Sequence, residues 1–319
     1  MQRIPHVNAT VVRAAAAVLS AAAPAAAPHP ATRPDIAKRP VALITGAAGG
    51  IGFAIARELA VRGVHVALAD IDSRAVTAAQ RGDSRLAACR AVALDVTDRT
   101  AFTHAVDQAE EEWGPLDVLV NCAGIIPSGP FHTMAPESLD HLAAVNILGV
   151  INGCRTVVPR MLVRGRGRIL NVSSLTALKP LSGLAAYSAS KAAVLALSEG
   201  LRRELRDTGV RAQVLLPYLT NTRAGAGLVS LPGLKPLEPE RIARTAVALL
   251  SSRRARACVP PGVGPLLAAQ ALLPVAVRDR IDDLLRCDRL AADPGHPRRV
   301  GYEALLAAAA PPPHRQEGR

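Results

Sequence analysis

Val41-Ala42-Leu43-Ile44-Thr45-Gly46-Ala47-Ala48-Gly49-Gly50-Ile51-Gly52 is the stretch on which the fold turns. Its first four residues form a short apolar run, read as a buried parallel strand. A glycine-rich turn follows. A helix comes next, with Ile51, Ile55 and Leu59 on one face and Gly63 closing it. Strand, glycine turn and helix together are the context in which a phosphate-binding turn works. Glycine lets the backbone approach a pyrophosphate, and the helix N-terminus offers free N–H groups and a positive dipole end. Tight turns use glycine for many reasons, so the rest of the chain has to decide.

Downstream, apolar strands alternate with helical segments. Val64 to Ala69 is a second strand ending at Asp70, about 20 positions past the glycines, where a carboxylate can accept from ribose hydroxyls. Asp70 could equally cap the next helix, a job open to Asp72 or Ser73 as well. Ala91 to Leu94 is a strand ending in Asp95-Val96, and a helix follows over Arg99 to Trp113. Leu116 to Val120 is a strand running into Asn121-Cys122-Ala123-Gly124. A helix is expected over Pro136 to Leu162, with Asn146 inside it among apolar neighbours. Strands at Arg168 to Val172 and Val210 to Leu216 flank a helix that stops near Asp207, and Arg241 to Leu250 reads as a further helix. This alternation predicts an α/β fold: a Rossmann-like, doubly wound parallel sheet in a single domain.

The second informative stretch is Asn171-Val172-Ser173-Ser174, followed after a short loop by Tyr187-Ser188-Ala189-Ser190-Lys191. Tyr187 and Lys191 are four apart on a helix and share a face. A free tyrosine hydroxyl, with a pKa of about 10, is a poor proton donor or acceptor at neutral pH. A neighbouring cation favours the phenolate and is expected to lower that pKa, which would let the phenol exchange a proton with an alcohol oxygen. Ser174 could hold the same oxygen. The chain has only four lysines, and Lys191 is one of them.

These motifs, in this order and spacing from about Val41 to Leu250, resemble the short-chain dehydrogenase/reductase family. The glycine spacing Thr-Gly-x-x-x-Gly-x-Gly is that of the family, and not the commoner Gly-x-Gly-x-x-Gly. The resemblance implies a catalytic set of Asn146, Ser174, Tyr187 and Lys191, with Asn146 kinking its helix and holding a proton-relay water. It implies cofactor contacts from Gly46, Gly50, Ile51, Gly52, Asp70, Asp95, Val96, Asn121, Ala123, Gly124, Tyr187, Lys191 and Thr222. The activity implied is NAD(P)-dependent oxidoreduction at CH–OH groups. NAD is favoured over NADP because Asp70 would repel a 2′-phosphate, although Arg74 lies close by. Two departures stand out. Cys122 replaces an asparagine of the family, a small neutral change expected to be tolerated. Tyr218 stands where relatives have glycine, next to Pro217, and would narrow a pocket. Arg223 to Pro239 corresponds to the family's substrate-covering loop. A non-catalytic dinucleotide-binding regulator is the competing reading, and NADH binding without turnover would favour it.

Residues 1–40 are Ala- and Pro-rich and are expected to be a disordered leader outside the fold, faintly like a targeting segment. The expected domain covers 41–257, and 258–319 is expected to be an extension, partly helical with a disordered tail. Val259 to Val277 is uncharged but holds four prolines, which argues against a spanning helix and leaves a hydrophobic flap or a peripheral membrane contact. Arg278 to Leu290 reads as an amphipathic helix. The net charge of +12 comes mainly from scattered arginines with no basic run among aromatics, so no nucleic-acid partner is expected. The five cysteines form no Cys-x-x-Cys and no His/Cys cluster, so no metal is expected, and reduced thiols fit a cytoplasmic protein. The expected partner is a small, lipophilic alcohol or ketone, and the resemblance implies a homodimer or homotetramer through the helices bearing Asn146 and Tyr187.

Overall fold

A computed structural model gives the architecture of residues 39–230, 235–284 and 296–309. The leader expected at 1–40 lies almost wholly outside these described residues, as do 285–290 of the amphipathic helix expected at 278–290, Cys287 and the tail beyond 309.

Seven strands form one parallel sheet: β1 (Val41–Thr45), β2 (His65–Asp70), β3 (Arg90–Ala93), β4 (Val118–Asn121), β5 (Gly167–Val172), β6 (Val210–Pro217) and β7 (Arg256–Val259). Their order is β3-β2-β1-β4-β5-β6-β7. The chain runs outward one way from β1 through β2 to β3, then returns to β4 and runs outward the other way. The reversal falls between β1 and β4, and in such sheets ligands bind outside the carboxyl ends of the strands at that point.

The crossover helices are α1 (Gly50–Val61), α2 (Ser73–Gly82), α3 (Arg99–Trp113), α4 (Pro136–Ala143), α5 (Gly149–Arg164), α6 (Ala185–Glu204) and α7 (Pro239–Leu250). Side chains alternate across each strand and feed two cores. Ala42 and Ile44 pack with Ile55 and Leu59 of α1 and Ile242 and Val247 of α7 on one face. Val41 and Leu43 pack with Phe102 of α3, Val157 and Met161 of α5 and Val194 of α6 on the other. Each such apolar side chain, once fully buried, contributes roughly 1.5–3 kcal/mol. With aromatics at 2% of the chain, aliphatic residues carry most of this.

The helix expected over Pro136 to Leu162 is interrupted. A widened π-type turn at Ala144–Leu148, centred on Asn146, separates α4 from α5. Taken as one run, Pro136–Arg164 is long and apolar enough to cross a membrane, yet Val150, Cys154, Val157 and Met161 of its second half are buried in the second core.

Past residue 257 several described segments pack on the core. Strand β7 pairs with β6 through Val214, Leu215, Leu216 and Pro217 and spans the boundary placed at 257. Helix α8 (Val263–Ala271) follows, nine residues long, inside the Pro-bearing span expected to hold no membrane-spanning helix. Pro265 sits in the first turn, where backbone N–H groups have no intrahelical partner to lose. Helix α9 (Val275–Leu284) is tied to the loop after β5 by an ion pair between Asp282 and Lys179. Helix α10 (Pro297–Ala309) begins with proline at its first position and folds back onto the core.

Candidate active site

The glycine turn is built by backbone crowding. Gly46 has φ +68°, and a Cβ there would lie 2.9 Å from the Ala123 backbone. A Cβ on Gly52 would lie 2.2 Å from the Gly46 carbonyl oxygen. Gly50, with φ +58°, leaves 3.2 Å for the Thr222 methyl group. The Thr45 hydroxyl accepts from the backbone N–H of both Cys122 and Ala123, at 3.0 Å each, and so locks the ends of β1 and β4 together. No side chain caps α1, which leaves its first amides available to an anion. A cradle that one added carbon would fill, at an uncapped helix start, fits a dinucleotide pyrophosphate.

Asp72, not Asp70, caps α2, accepting from the Ala75 amide at 2.9 Å. The Asp70 carboxylate instead accepts from Ala48 N at 2.9 Å and Asp72 N at 3.2 Å, which fixes it at the rim of the glycine turn. Asp95 accepts from the backbone and hydroxyl of Thr97. Val96 is buried against Gly149, where a Cβ would lie 2.6 Å from its methyl group, and its carbonyl accepts from Asn152 at 3.0 Å. The Asn121 amide donates to Asn171 at 2.8 Å, and Asn171 donates to Ser198 at 2.9 Å. This buried amide chain joins β4, β5 and α6. Sequence reading gave a role to Asn121 alone of the three and quoted Asn171 only as the start of the serine-bearing stretch.

Asn146, Ser174, Tyr187 and Lys191 converge at the carboxyl ends of β4 and β5. All four are buried. The Ser174 hydroxyl lies near enough to the Tyr187 hydroxyl to favour its ionised form. Ser174 also accepts from Thr176 N at 3.1 Å, which holds its hydroxyl in place. The Lys191 ammonium lies 5.8 Å from the centre of the Tyr187 ring and donates to the Val172 carbonyl at 3.1 Å. Asn146 accepts from Ile125 N at 2.8 Å and donates to Ile125 O at 2.9 Å and Ser190 Oγ at 3.1 Å. Gly124 is the meeting point: a Cβ there would be 3.2 Å from both Asn146 Oδ1 and Lys191 Nζ.

The electrostatics differ from the sequence expectation. Burial pushes the Tyr187 hydroxyl above its ordinary value, opposed by the Ser174 hydroxyl and reinforced by Tyr302. Burial lowers Lys191 to about 8. The expected lowering of the tyrosine by its lysine is not seen: the causes acting on Tyr187 are burial, Ser174, Tyr302 and Cys122, and the same dry surroundings disfavour both charges. Desolvation also pushes the Cys122 thiol up to about 12, so this position is neutral, as an asparagine would be. Its backbone N–H makes the structural contact to Thr45.

Thr222 accepts from Gly225 N at 3.2 Å and faces Gly50. Tyr218 pairs its N–H with the Val259 carbonyl at 2.8 Å, and its side chain packs against the apolar clusters around Leu215 and Leu216.

Helix α10 supplies residues that sequence reading missed. The Tyr302 hydroxyl accepts from Ile126 N at 3.1 Å. Arg299 is 1% exposed; it donates to Ala224 O at 3.1 Å and to Ile126 O, and pairs with Glu303. Glu303 in turn accepts from Ser128 N at 3.0 Å and Ser128 Oγ at 2.9 Å. The helix thus clasps the loop after β4 to the loop after β6. Nothing in its Ala-rich sequence signals this, because the partners lie more than 170 positions away in four of these bonds.

A model of the short chain dehydrogenase family matches residues 40–230. An uncharacterised oxidoreductase of Staphylococcus saprophyticus is 36% identical over 209 residues, 65% of this chain and 89% of that one. The 3-ketoacyl-(acyl-carrier-protein) reductase of Brucella melitensis, solved with NADH, superposes with a TM-score of 0.64 at 30% identity, over 70% of this chain and 97% of that one. A gluconate 5-dehydrogenase of Burkholderia cenocepacia, solved with NADP and tartrate, gives a TM-score of 0.65 at 28% identity, over 71% and 96%. With the motifs, the sheet order and the crowded glycine turn in agreement with these matches, the chain belongs to the short-chain dehydrogenase/reductase family of oxidoreductases.

Proposed function

We propose that the protein catalyses reversible hydride transfer between NAD(H) and a lipophilic secondary alcohol/ketone pair. The observation that carries this is the convergence of Tyr187, Ser174 and Lys191 beside Gly124, at the mouth of the glycine turn. When bound, the nicotinamide dinucleotide supplies the hydride chemistry. The chain's own groups do the rest. Tyr187, held protonated by burial, gives its proton to the carbonyl oxygen in reduction and takes it back in oxidation. Ser174, oriented by Thr176, hydrogen-bonds the same oxygen. Lys191 favours the phenolate that forms and holds the cofactor ribose, and Asn146 anchors the relay that returns the proton.

Gly46, Gly50, Ile51 and Gly52 would receive the pyrophosphate, Asp95 and Val96 the adenine, Asn121, Ala123 and Gly124 the ribose side, and Thr222 the nicotinamide amide. Asp70 supports NAD over NADP: its fixed carboxylate accepts from a ribose hydroxyl and repels a phosphate in that place. The relatives supply both cofactors, NADH in one complex and NADP in the other. We further propose a cytoplasmic homodimer or homotetramer. The exposed apolar side chains Leu148, Leu162 and Val163, on the helices that bear Asn146, support such a contact.

The direct test is Tyr187→Phe. Turnover falls by about 10³-fold or more while NADH still binds. Unimpaired turnover would refute the assignment.

A further inference from the structure

A cavity of about 640 Å³ lies between the loop after β6 and helix α10. Leu228, Leu305 and Tyr302 line it on the apolar side, and Arg223, His296 and Arg298 line it on the polar side. Among the described residues no carboxylate lines it. The nearest acid on α10, Glu303, is already committed to Arg299 and Ser128. Neither Arg223 nor Arg298 forms an ion pair with the described residues, and the buried Nδ1 of His296 has no hydrogen-bond partner among them.

This cavity adjoins the reaction centre through shared wall residues. Leu228 packs against the cluster formed by Leu142, Leu184 and Tyr187. Tyr302 lines the cavity and also acts electrostatically on the Tyr187 hydroxyl. Thr222, on the cavity wall, faces Gly50 of the glycine turn, where an added Cβ would lie 3.2 Å from its methyl group. A molecule with its reacting carbon at Tyr187 would therefore extend along an apolar wall toward two arginines and a histidine. Guanidinium groups without acidic partners favour a carboxylate or phosphate, which they can bind through paired N–H groups.

We propose that the substrate is an alcohol or ketone whose apolar body ends in an anionic group, a carboxylate or a phosphate, received by Arg223, His296 and Arg298. This rests on the oxidoreductase reading above and specifies its substrate class. Helix α10 becomes the specificity element of the site, held in place by the buried Arg299.

The test uses the full chain and a panel of oxo-carboxylates of graded chain length, their neutral methyl esters and the matching oxoalkyl phosphates, each with NADH. For at least one chain length the anion has a kcat/KM about tenfold or more above its ester, and the better anion tells carboxylate from phosphate. In the double variant Arg223→Gln/Arg298→Gln that anion-to-ester ratio falls by about tenfold. Calorimetric titration of the same compounds onto the NADH-loaded protein gives the same ordering in Kd, and it decides the question where turnover is too slow to measure. Esters equal to or better than anions throughout, or a ratio unmoved by the double variant, would overturn the proposal. Tyr187→Phe run beside it separates the two ideas. If Tyr187 is required but anions hold no advantage, only the anion site fails. If Tyr187→Phe turns over at the parent rate, the underlying reaction fails.

Discussion

The two sides of the cleft are built by different means. On the nucleotide side, backbone meets backbone: Gly46, Gly52, Ala123 and Thr45 lie so close that one extra methyl group has no room. On the substrate side, α10 is held by side chains, chiefly Arg299, Glu303 and Tyr302, reaching across to loops after β4 and β6. Backbone crowding leaves a mark in the sequence, because only glycine serves. Side-chain clasps leave almost none, since arginine, glutamate and tyrosine occur everywhere.

The contrast can be pressed hardest at the glycines. Gly52→Ala is expected to weaken NADH binding by about 100-fold, whereas Gly49→Ala, whose Cβ would meet nothing within 4 Å, changes it by less than about threefold. Equal losses in a titration of NADH fluorescence would mean that the turn is not held by contact with Gly46. Across the cleft, Arg299→Met removes the clasp. The prediction is a rise of about tenfold in substrate KM with the Kd for NADH changed by less than about threefold, because among the described residues no hydrogen bond joins α10 to the glycine turn. Parallel losses in both constants would show that the two sides are coupled.

Asp70→Asn sharpens the nucleotide side further. The ratio of kcat/KM for NAD over NADP should fall by about tenfold, as the repulsion of a 2′-phosphate is removed. An unchanged ratio would assign cofactor choice to another group, with Arg74 the first to replace. The smallest effect is in the pH profile of ketone reduction. With Lys191 lowered to about 8 and Tyr187 raised, the phenol keeps its proton across neutral pH, and the lysine is the group that titrates. The kcat/KM is therefore flat below about pH 8 and falls by about three- to tenfold above it, as the ammonium supporting the phenolate is lost. A rising limb through pH 8 would reverse the assignment.

Much of the fold and of the nucleotide side was legible in the sequence. Val41 to Ile44, the glycines and the apolar strand before Asn171 announced the parallel sheet through apolar runs set between helical segments. Asn146, Ser174, Tyr187 and Lys191 were readable as a set, and the structure brings them together. Strand β7 was not, because Arg256–Val259 is four residues long and is followed at once by two prolines. The extension was expected to be partly helical, but the positions of α8 and α10 were not legible, because Pro265 and Pro297 read as breakers inside a helix and are tolerated in its first turn. The electrostatics went astray for another reason: spacing on a helix reports proximity, while the sign of the Tyr187 shift depends on how dry its surroundings are.

The bulge around Asn146 carries a lesson for anyone editing this gene. A widened turn accommodates one residue more than a regular helix would. Deleting a single residue from 144–148 would leave a smoother helix, yet it would swing the amide away from Ile125 and Ser190 and rotate every later side chain of α5 relative to the sheet. The surplus residue is thus a spacer that lets one helical run serve two masters, the Asn146 contacts to Ile125 and Ser190 at its middle and the hydrophobic packing at its far end.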